Sequence, residues 1–364
     1  MSSANRISFA SAATIVAKRE IMVRLRSKAY IISSAVLLAG IVVGVVLASY
    51  GPQWFSSTTI VAATSDAAGV VQEIPDIDLV NAASADEVRT LVADGDVDAG
   101  VIGTPDALTV IGDRTPPDEV MFALSTPPAV EILDPNAPHP ALAYLVGLGL
   151  GIMFFLAAIT YGATIAQSVV EEKQTRIVEI LLATISARAL LAGKIIGNSV
   201  LAFAQILLTA LLLLGTGAAT GNSVIADGLG IPLVWFVVLF TVGFIMLASL
   251  YAAAASLVSR AEDVGSATGP IMILVMIPYI LITFLNNNPA ALAVMSYIPF
   301  SAPIAIPMRL FLATIHWWEP VLALVILLLF TVLTIRLAAL IYERSLLRTG
   351  RRVQLKDVLG SGSR

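Results

Sequence analysis

Six stretches with little or no charge alternate along this chain with short charged segments and one long acidic one. The first, Ala29 to Ala48, holds no charged side chain over 20 residues. At 1.5 Å per residue that makes about 30 Å of α-helix, one bilayer crossing. A cleavable signal peptide has an apolar core of only about 7–15 residues, so residues 29–49 read as a retained anchor. The second stretch, Ala141 to Val170, is uncharged for 30 residues. It is longer than a bilayer needs, which predicts a helix that tilts or projects toward Glu171. Further crossings are predicted near Ile195–Gly217, Pro232–Val258, Gly265–Leu285 and Val321–Ile341, the fifth kinked by Pro270 and Pro278.

Between the fifth and sixth crossings, Ala290 to Thr314 is apolar but contains Pro299, Pro303 and Pro307. Each proline removes a helical donor, and unsatisfied backbone is costly in lipid. The stretch is therefore expected to form re-entrant or interfacial helices, with the three prolines at a gate and Trp317 and Trp318 marking the interface. Residues 50–138 differ from everything around them. Fifteen acids there face only Arg89 and Arg114, a net charge of -13. Thr58–Ala63, Ala99–Gly103 and Leu108–Gly112 read as short strands. Ser84 and Glu87 form a capping-box signature that opens a helix, and Asp94-Gly95 closes it. A small α/β domain is expected. Asp94, Asp96 and Asp98 alternate as calcium ligands can, but the twelve-residue loop ending in Glu is absent, so they read as a solvated acidic surface. Thr126-Pro-Pro and Asp134 to Pro140 are expected to form a stiff return to the membrane.

The predicted fold is thus an α-helical polytopic membrane protein with six transmembrane helices. It has a small extracytoplasmic α/β domain between helices 1 and 2 and re-entrant or interfacial helices between 5 and 6. Composition agrees, at 58% hydrophobic and 13% charged residues, far from a soluble domain. Residues 1–28 carry six basic side chains and one acid, Glu20, and the tail 344–364 is also basic. The N-terminal segment reads as a membrane-surface helix or as a positive flank of the first span. Over this topology 18 lysines and arginines share the side of the termini, including Arg336, which can snorkel, and only Arg89, Arg114 and Arg309 lie on the other. Both termini are therefore expected in the cytoplasm. There is no cysteine and there are only two histidines, His139 and His316, which excludes disulfides, thiolate sites and histidine-cluster metal sites. No nucleic-acid partner is expected.

A second charged interruption, residues 168–194, lies within the membrane portion 139–343. Glu172, Arg176 and Glu179 fall at i, i+4 and i+7, one stripe of a helix whose other side carries Ile177, Ile180 and Leu181. The pattern fits a helix lying on the bilayer and fits equally a surface that receives a partner. The predicted spans contain no charge except Arg336, so an ion relay is not expected inside them. Nor can the chain power itself. Gly193-Lys194 has no glycine five residues earlier and is followed by Ile195, so it is no phosphate-binding loop.

The run Val170-Glu-Glu-Lys-Gln-Thr-Arg-Ile-Val-Glu-Ile-Leu-Leu-Ala-Thr184, followed by Leu190-Leu-Ala-Gly-Lys194, resembles the cytoplasmic signature of bacterial ABC type-2 permeases, especially the NatB-like branch. Lys18–Lys28, Ile298–Arg309 and Ile341–Gly350 are similar to the same branch, in the same order. The resemblance implies a non-enzymatic permease subunit in the bacterial plasma membrane. It would pair as a homodimer or heterodimer and be driven by a separate ABC ATPase that holds the ATP and Mg. Coupling to that ATPase would fall to Glu171, Glu172, Lys173, Arg176 and Glu179, with a second contact at Lys18, Arg19 and Arg24. Relatives in that branch export sodium. No carboxylate lies inside the predicted spans to hold a cation, although backbone carbonyls can bind sodium. A drug, peptide or lipid fits as well, and a mechanotransmitter or sensor with a ligand-binding outer domain and no flux is the alternative.

Overall fold

In the computed structural model, residues 8–55, 59–72, 74, 77–105, 107–113, 120–121, 124, 140–175, 177–222, 225 and 228–346 are described. The proline-rich return Thr126–Pro140, apart from its last residue, and the basic tail beyond Leu346 lie outside them. The chain divides into two units, Tyr50–Pro135 and the remainder.

The larger unit is an α-helical polytopic membrane fold. Its elements are α1 (Phe9–Leu25), α2 (Lys28–Phe55), α5 (Pro140–Gln174), α6 (Ile177–Thr184), α7 (Ala187–Ala219), α8 (Gly230–Ser256), α9 (Val264–Phe284), α10 (Pro289–Met295), α11 (Ala302–Phe311) and α12 (Glu319–Ser345). Among the described residues six helices, α2, α5, α7, α8, α9 and α12, are long and apolar enough to cross a membrane. A helix satisfies its backbone internally, which lipid demands. Helix α5 has 35 residues, about 52 Å at 1.5 Å per residue, so it outruns the hydrocarbon layer as its uncharged run predicts. Helix α9 remains one helix through Pro270 and Pro278.

The core is built around α8. Phe236, Phe240, Leu247, Ala248, Ala252 and Ala255 are fully buried, and α8 packs against α5, α7, α11 and α12. Phe240 and Phe244 stack one turn apart, and Phe154 and Tyr161 of α5 meet them edge-on, a geometry aromatic quadrupoles favour. By contrast α2 is mostly exposed. It is pinned through Tyr30, whose hydroxyl is 3.1 Å from that of Tyr161, and through Ser49, whose hydroxyl is 3.0 Å from that of Thr220.

The proline-containing stretch forms α10 and α11, with Pro299 in the turn between them, Pro303 in the first turn of α11 and Pro307 within it. Pro303 and Pro307 are buried. Helix α11 packs against α8 and α5 across two glycine positions, of which Gly243 of α8 is the tight one. A Cβ on Gly243 would come within 3.0 Å of Pro303, and one on Gly147 within 3.5 Å of the Met308 sulfur.

The smaller unit holds β1 (Thr59–Thr64), α3 (Ser65–Val71), β2 (Ile77–Ala82), α4 (Ala85–Asp94), β3 (Ala99–Thr104) and β4 (Ala107–Ile111). Its sheet order is β2-β1-β3-β4. β1 runs parallel to β2 and β3, and β4 is antiparallel to β3 with Val101 opposite Val110. The N-cap bond is formed, the Glu87 N–H donating to Ser84 Oγ at 3.2 Å, while the return bond falls one residue outside the regular capping box, the Ala83 N–H donating to Glu87 Oε2 at 2.7 Å. The carboxylate of Asp98 accepts from the Ile60 N–H at 2.9 Å, so this acid anchors the start of β1. β2 is an edge strand with Asp78 and Asn81 in it, and those polar residues hide it from a search for apolar alternation.

Candidate functional site

Helix α5 reaches past the apolar layer with Ser168, Glu171, Glu172 and Lys173 on its last turns. Residues 168 and 172 share a face, while 173 lies about 100° round the helix. Glu172 accepts from Arg19 of α1 at 2.6 Å through Oε1 and pairs with Lys194 of α7 at 3.0 Å through Oε2. Lys194 also contacts Glu20 of α1 at 3.2 Å and donates to Ser168 Oγ, and Arg19 lies 3.6 Å from Glu20. Two cations thus meet two anions with no net charge. Glu20, Glu172 and Lys194 are buried, and Arg19 keeps half of its side chain in solvent. Burying any of these charges alone would cost several kcal/mol, so the three helices are held in one register.

The crossing of α1 and α7 is close enough for this because its residues are small. Gly193-Lys-Ile-Ile-Gly197 of α7 meets Ala13-Thr-Ile-Val-Ala17 of α1, the small-x-x-x-small spacing of close helix pairs. A Cβ at Gly193 would stand 2.4 Å from the Val16 Cβ and 2.7 Å from the Ala13 carbonyl. Gly193→Ala is therefore expected to lower stability by about 1–3 kcal/mol. Thermal unfolding of the purified protein in detergent checks this, and a melting point unchanged from wild type would contradict it.

Lys173 faces the other way. Its ammonium donates to the Ser256 carbonyl at 2.8 Å and the Ser345 carbonyl at 3.1 Å, at the C-terminal ends of α8 and α12, where helix dipoles favour a cation. The hydroxyls of those two serines are 2.6 Å apart. Adjacent residues of α5 therefore bind four helices: Glu172 holds α1 and α7, and Lys173 holds α8 and α12. Beyond Thr175, whose hydroxyl donates to the Glu171 carbonyl at 2.7 Å, the helix breaks. Short helix α6 follows with Val178 buried and Glu179 and Ile180 exposed. Ser186 Oγ then caps α7, accepting from the Ala189 N–H at 3.2 Å.

The single stripe expected from Glu172, Arg176 and Glu179 is thus not formed. Glu172 and Lys173 turn inward to buried partners, Glu171 and Glu179 stay exposed, and Arg176 lies outside the described residues. On α1, Arg19 joins the cluster, Lys18 is exposed and Arg24 is half-buried. The uncharged run places Lys194 before the third span, whereas α7 begins at Ala187, so the membrane helices carry more charge at their ends than their apolar runs indicate. Glu20, Ser168 and Lys194 are members that the pattern of single segments does not single out. Two signals for them exist: Glu20 is the one acid among six bases, and Gly193 and Gly197 flank Lys194 at close-packing spacing.

A second buried cluster lies at the other end of α12. Arg309 of α11 donates to Glu319 Oε2 at 2.6 Å, Ser296 Oγ at 3.2 Å and the Thr314 carbonyl at 2.9 Å. Glu319 also accepts from the Tyr297 hydroxyl at 3.0 Å and the His316 N–H at 2.9 Å. Burial, reinforced by that carboxylate, holds the Tyr297 hydroxyl above its ordinary pKa, so it acts as a donor at neutral pH.

The sequence model for ABC-2 family transporter proteins matches residues 28–340. The chain belongs to that family. This ABC-2 family protein is accordingly a multi-pass membrane protein, and its Glu172, Lys173, Lys194, Arg309 and Glu319 lie inside the matched range, whereas Arg19 and Glu20 precede it. It is 29% identical over 223 residues to the uncharacterized protein MJ1024 of Methanocaldococcus jannaschii, covering 60% of this chain and 54% of that one. It is 28% identical over 231 residues to the uncharacterized protein YhaP of Bacillus subtilis, covering 60% and 55%. The chain thus spans about half the length of the curated relatives it matches. No solved structure matches it significantly.

Proposed function

We propose that this chain is the permease subunit of an ATP-driven ABC exporter in a bacterial plasma membrane. Both termini are cytoplasmic, a separate ABC ATPase supplies the energy, and a homo- or heterodimer of permeases forms the pathway. Family membership supports the class, and the excess of lysine and arginine on the side of the termini supports the orientation. One observation carries the coupling assignment. Helix α6, with Glu179 and Ile180 exposed, lies between α5 and α7, and α5 is bound through adjacent Glu172 and Lys173 to α1, α7, α8 and α12. A force applied at α6 therefore reaches five helices through short polar contacts. Glu179 and Ile180 are the contact candidates, with Glu171 beside them, while Glu172 and Lys173 transmit within the chain.

The test uses the full chain, co-purified with its ATPase and reconstituted in vesicles. Glu179→Arg combined with Ile180→Asp is expected to abolish ATP-dependent movement of substrate, with sodium, drug, peptide and lipid cargoes assayed in turn. Because both side chains are exposed, the melting temperature should hold. Undiminished transport in that variant would overturn the assignment of α6. The separate unit Tyr50–Pro135 favours a second reading, a sensor that passes nothing through the membrane. ATPase stimulation without flux in the same vesicles would select it.

A further inference from the structure

Helix α7 carries Lys194, Asn198, Gln205 and Thr209 within an arc of about 60°, at 100° per residue. Asn198 and Thr209 are 0% and 1% exposed, whereas Ile196, Val200, Phe203, Leu207 and Leu211 on the opposite side are exposed. The stripe thus faces the interior of the bundle at Lys194, Asn198 and Thr209, with Gln205 half-buried, and the apolar side faces outward. Eleven residues separate Asn198 from Thr209, about 16 Å along the axis, roughly half the thickness of the hydrocarbon layer.

Three atoms of this stripe have no hydrogen-bond partner among the described residues: Asn198 Oδ1, Gln205 Nε2 and Thr209 Oγ1. Thr209 differs from the other buried threonines of the membrane helices. Thr164, Thr241, Thr268, Thr283 and Thr334 each donate to the carbonyl four residues back, which quiets a hydroxyl inside a membrane helix. Other buried polar atoms without a partner among the described residues include Ser199 Oγ, about 100° round α7 from Asn198, and the hydroxyl of the fully buried Tyr342 of α12. Buried polar groups are almost always paired because leaving them unpaired is costly, so a row of them points to something that binds there.

We propose that the α7 stripe is a substrate-contacting site for the uncharged, hydrogen-bonding headgroup of an amphiphile, one bearing hydroxyls or amides. This deepens the exporter reading and rests on it. The chemistry of the row defines the class: a carbonyl acceptor, an amide donor and a hydroxyl that serves as either. No charge is left over for an anion, because Lys194 is neutralised by Glu20 and Glu172. A bare metal ion needs about six oxygen ligands, and the unpartnered atoms of the stripe include one carbonyl oxygen and one hydroxyl.

The chain contains no cysteine, so single cysteines report cleanly. Thr209→Cys and Gln205→Cys are made in the full chain, with Ile206→Cys and Ala210→Cys as buried controls on the flank of α7, and native membranes are treated with methanethiosulfonate ethylammonium. A thiol held in an apolar wall has a raised pKa and little thiolate, so the stripe cysteines should react about tenfold faster than the controls, one pKa unit of difference. Decanoyl-N-methylglucamide should slow them, and decyltrimethylammonium or sodium chloride should not. Equal rates at stripe and control positions, or protection by the charged probes alone, would overturn the proposal. Two stripe positions at different depths keep the result readable if one variant does not fold. The reaction needs neither ATP nor ATPase, so its failure is distinct from failure of the vesicle assay.

Discussion

Lys194→Met destabilises the transmembrane unit by about 3–5 kcal/mol, the cost of breaking a buried ion pair from one side. The substitution leaves Glu20 and Glu172 sharing one half-exposed arginine, so one carboxylate stays buried without a counter-charge. Methionine fills nearly the volume of the lysine stem, which separates lost charge from lost packing. Adding Glu20→Gln removes the surplus anion and keeps the Arg19–Glu172 pair, so the double variant should recover most of the loss. Thermal unfolding of the four proteins of this cycle measures the coupling. If Lys194→Met and its double variant melt together, the cluster is not what holds α1, α5 and α7 in register. Proteolysis offers an independent reading, because α1 should become cleavable once it detaches from α7.

Arg309→Met carries the second large penalty, again about 3–5 kcal/mol, at the opposite end of α12. Glu319 would keep only the Tyr297 hydroxyl and the His316 N–H as donors. Geometry makes the arginine specific. Helix α11 ends in a turn where Ala313 adopts φ 53, with the Thr314 N–H donating to the Arg309 carbonyl at 3.0 Å. That reversal places the Thr314 carbonyl 2.9 Å from the same guanidinium that holds Glu319 and Ser296. Lysine is a point charge on a flexible stem and cannot present this fork, so Arg309→Lys should recover only part of the stability. Pairing Arg309→Met with Glu319→Gln should recover more than the lysine does. Equal melting of Arg309→Met and wild type would show that α10 and α11 are held by their apolar contacts alone.

Much of this architecture is legible one segment at a time. Uncharged runs of membrane length announce α2, α5, α7, α8, α9 and α12, because a helix is the conformation that satisfies a lone backbone segment in lipid. Pro299, Pro303 and Pro307 announce an interruption, and it is filled by α10 and α11. Ser84 and Glu87 announce the start of α4, since the N-cap bond is made by residues three apart. The candidate site is another matter. Glu172 and Lys173 look alike in sequence as members of a charged, solvated run, yet they bind different helix pairs 100° apart. Glu20 and Lys194 are separated by 174 residues, and nothing local in either segment announces the partner.

The sequence by itself determined that this is a six-span membrane protein with an acidic insertion and a charged segment between its second and third spans. Hydropathy and charge are summed along the chain, and no partner is needed to read them. Only the tertiary structure decided which charges are buried. That depends on how closely Gly193 and Gly197 let α1 approach α7, and on the three-dimensional meeting of Arg19, Glu20, Glu172 and Lys194. Whether a charge is solvated or paired is a property of its distance to other helices, and sequence spacing does not encode that distance.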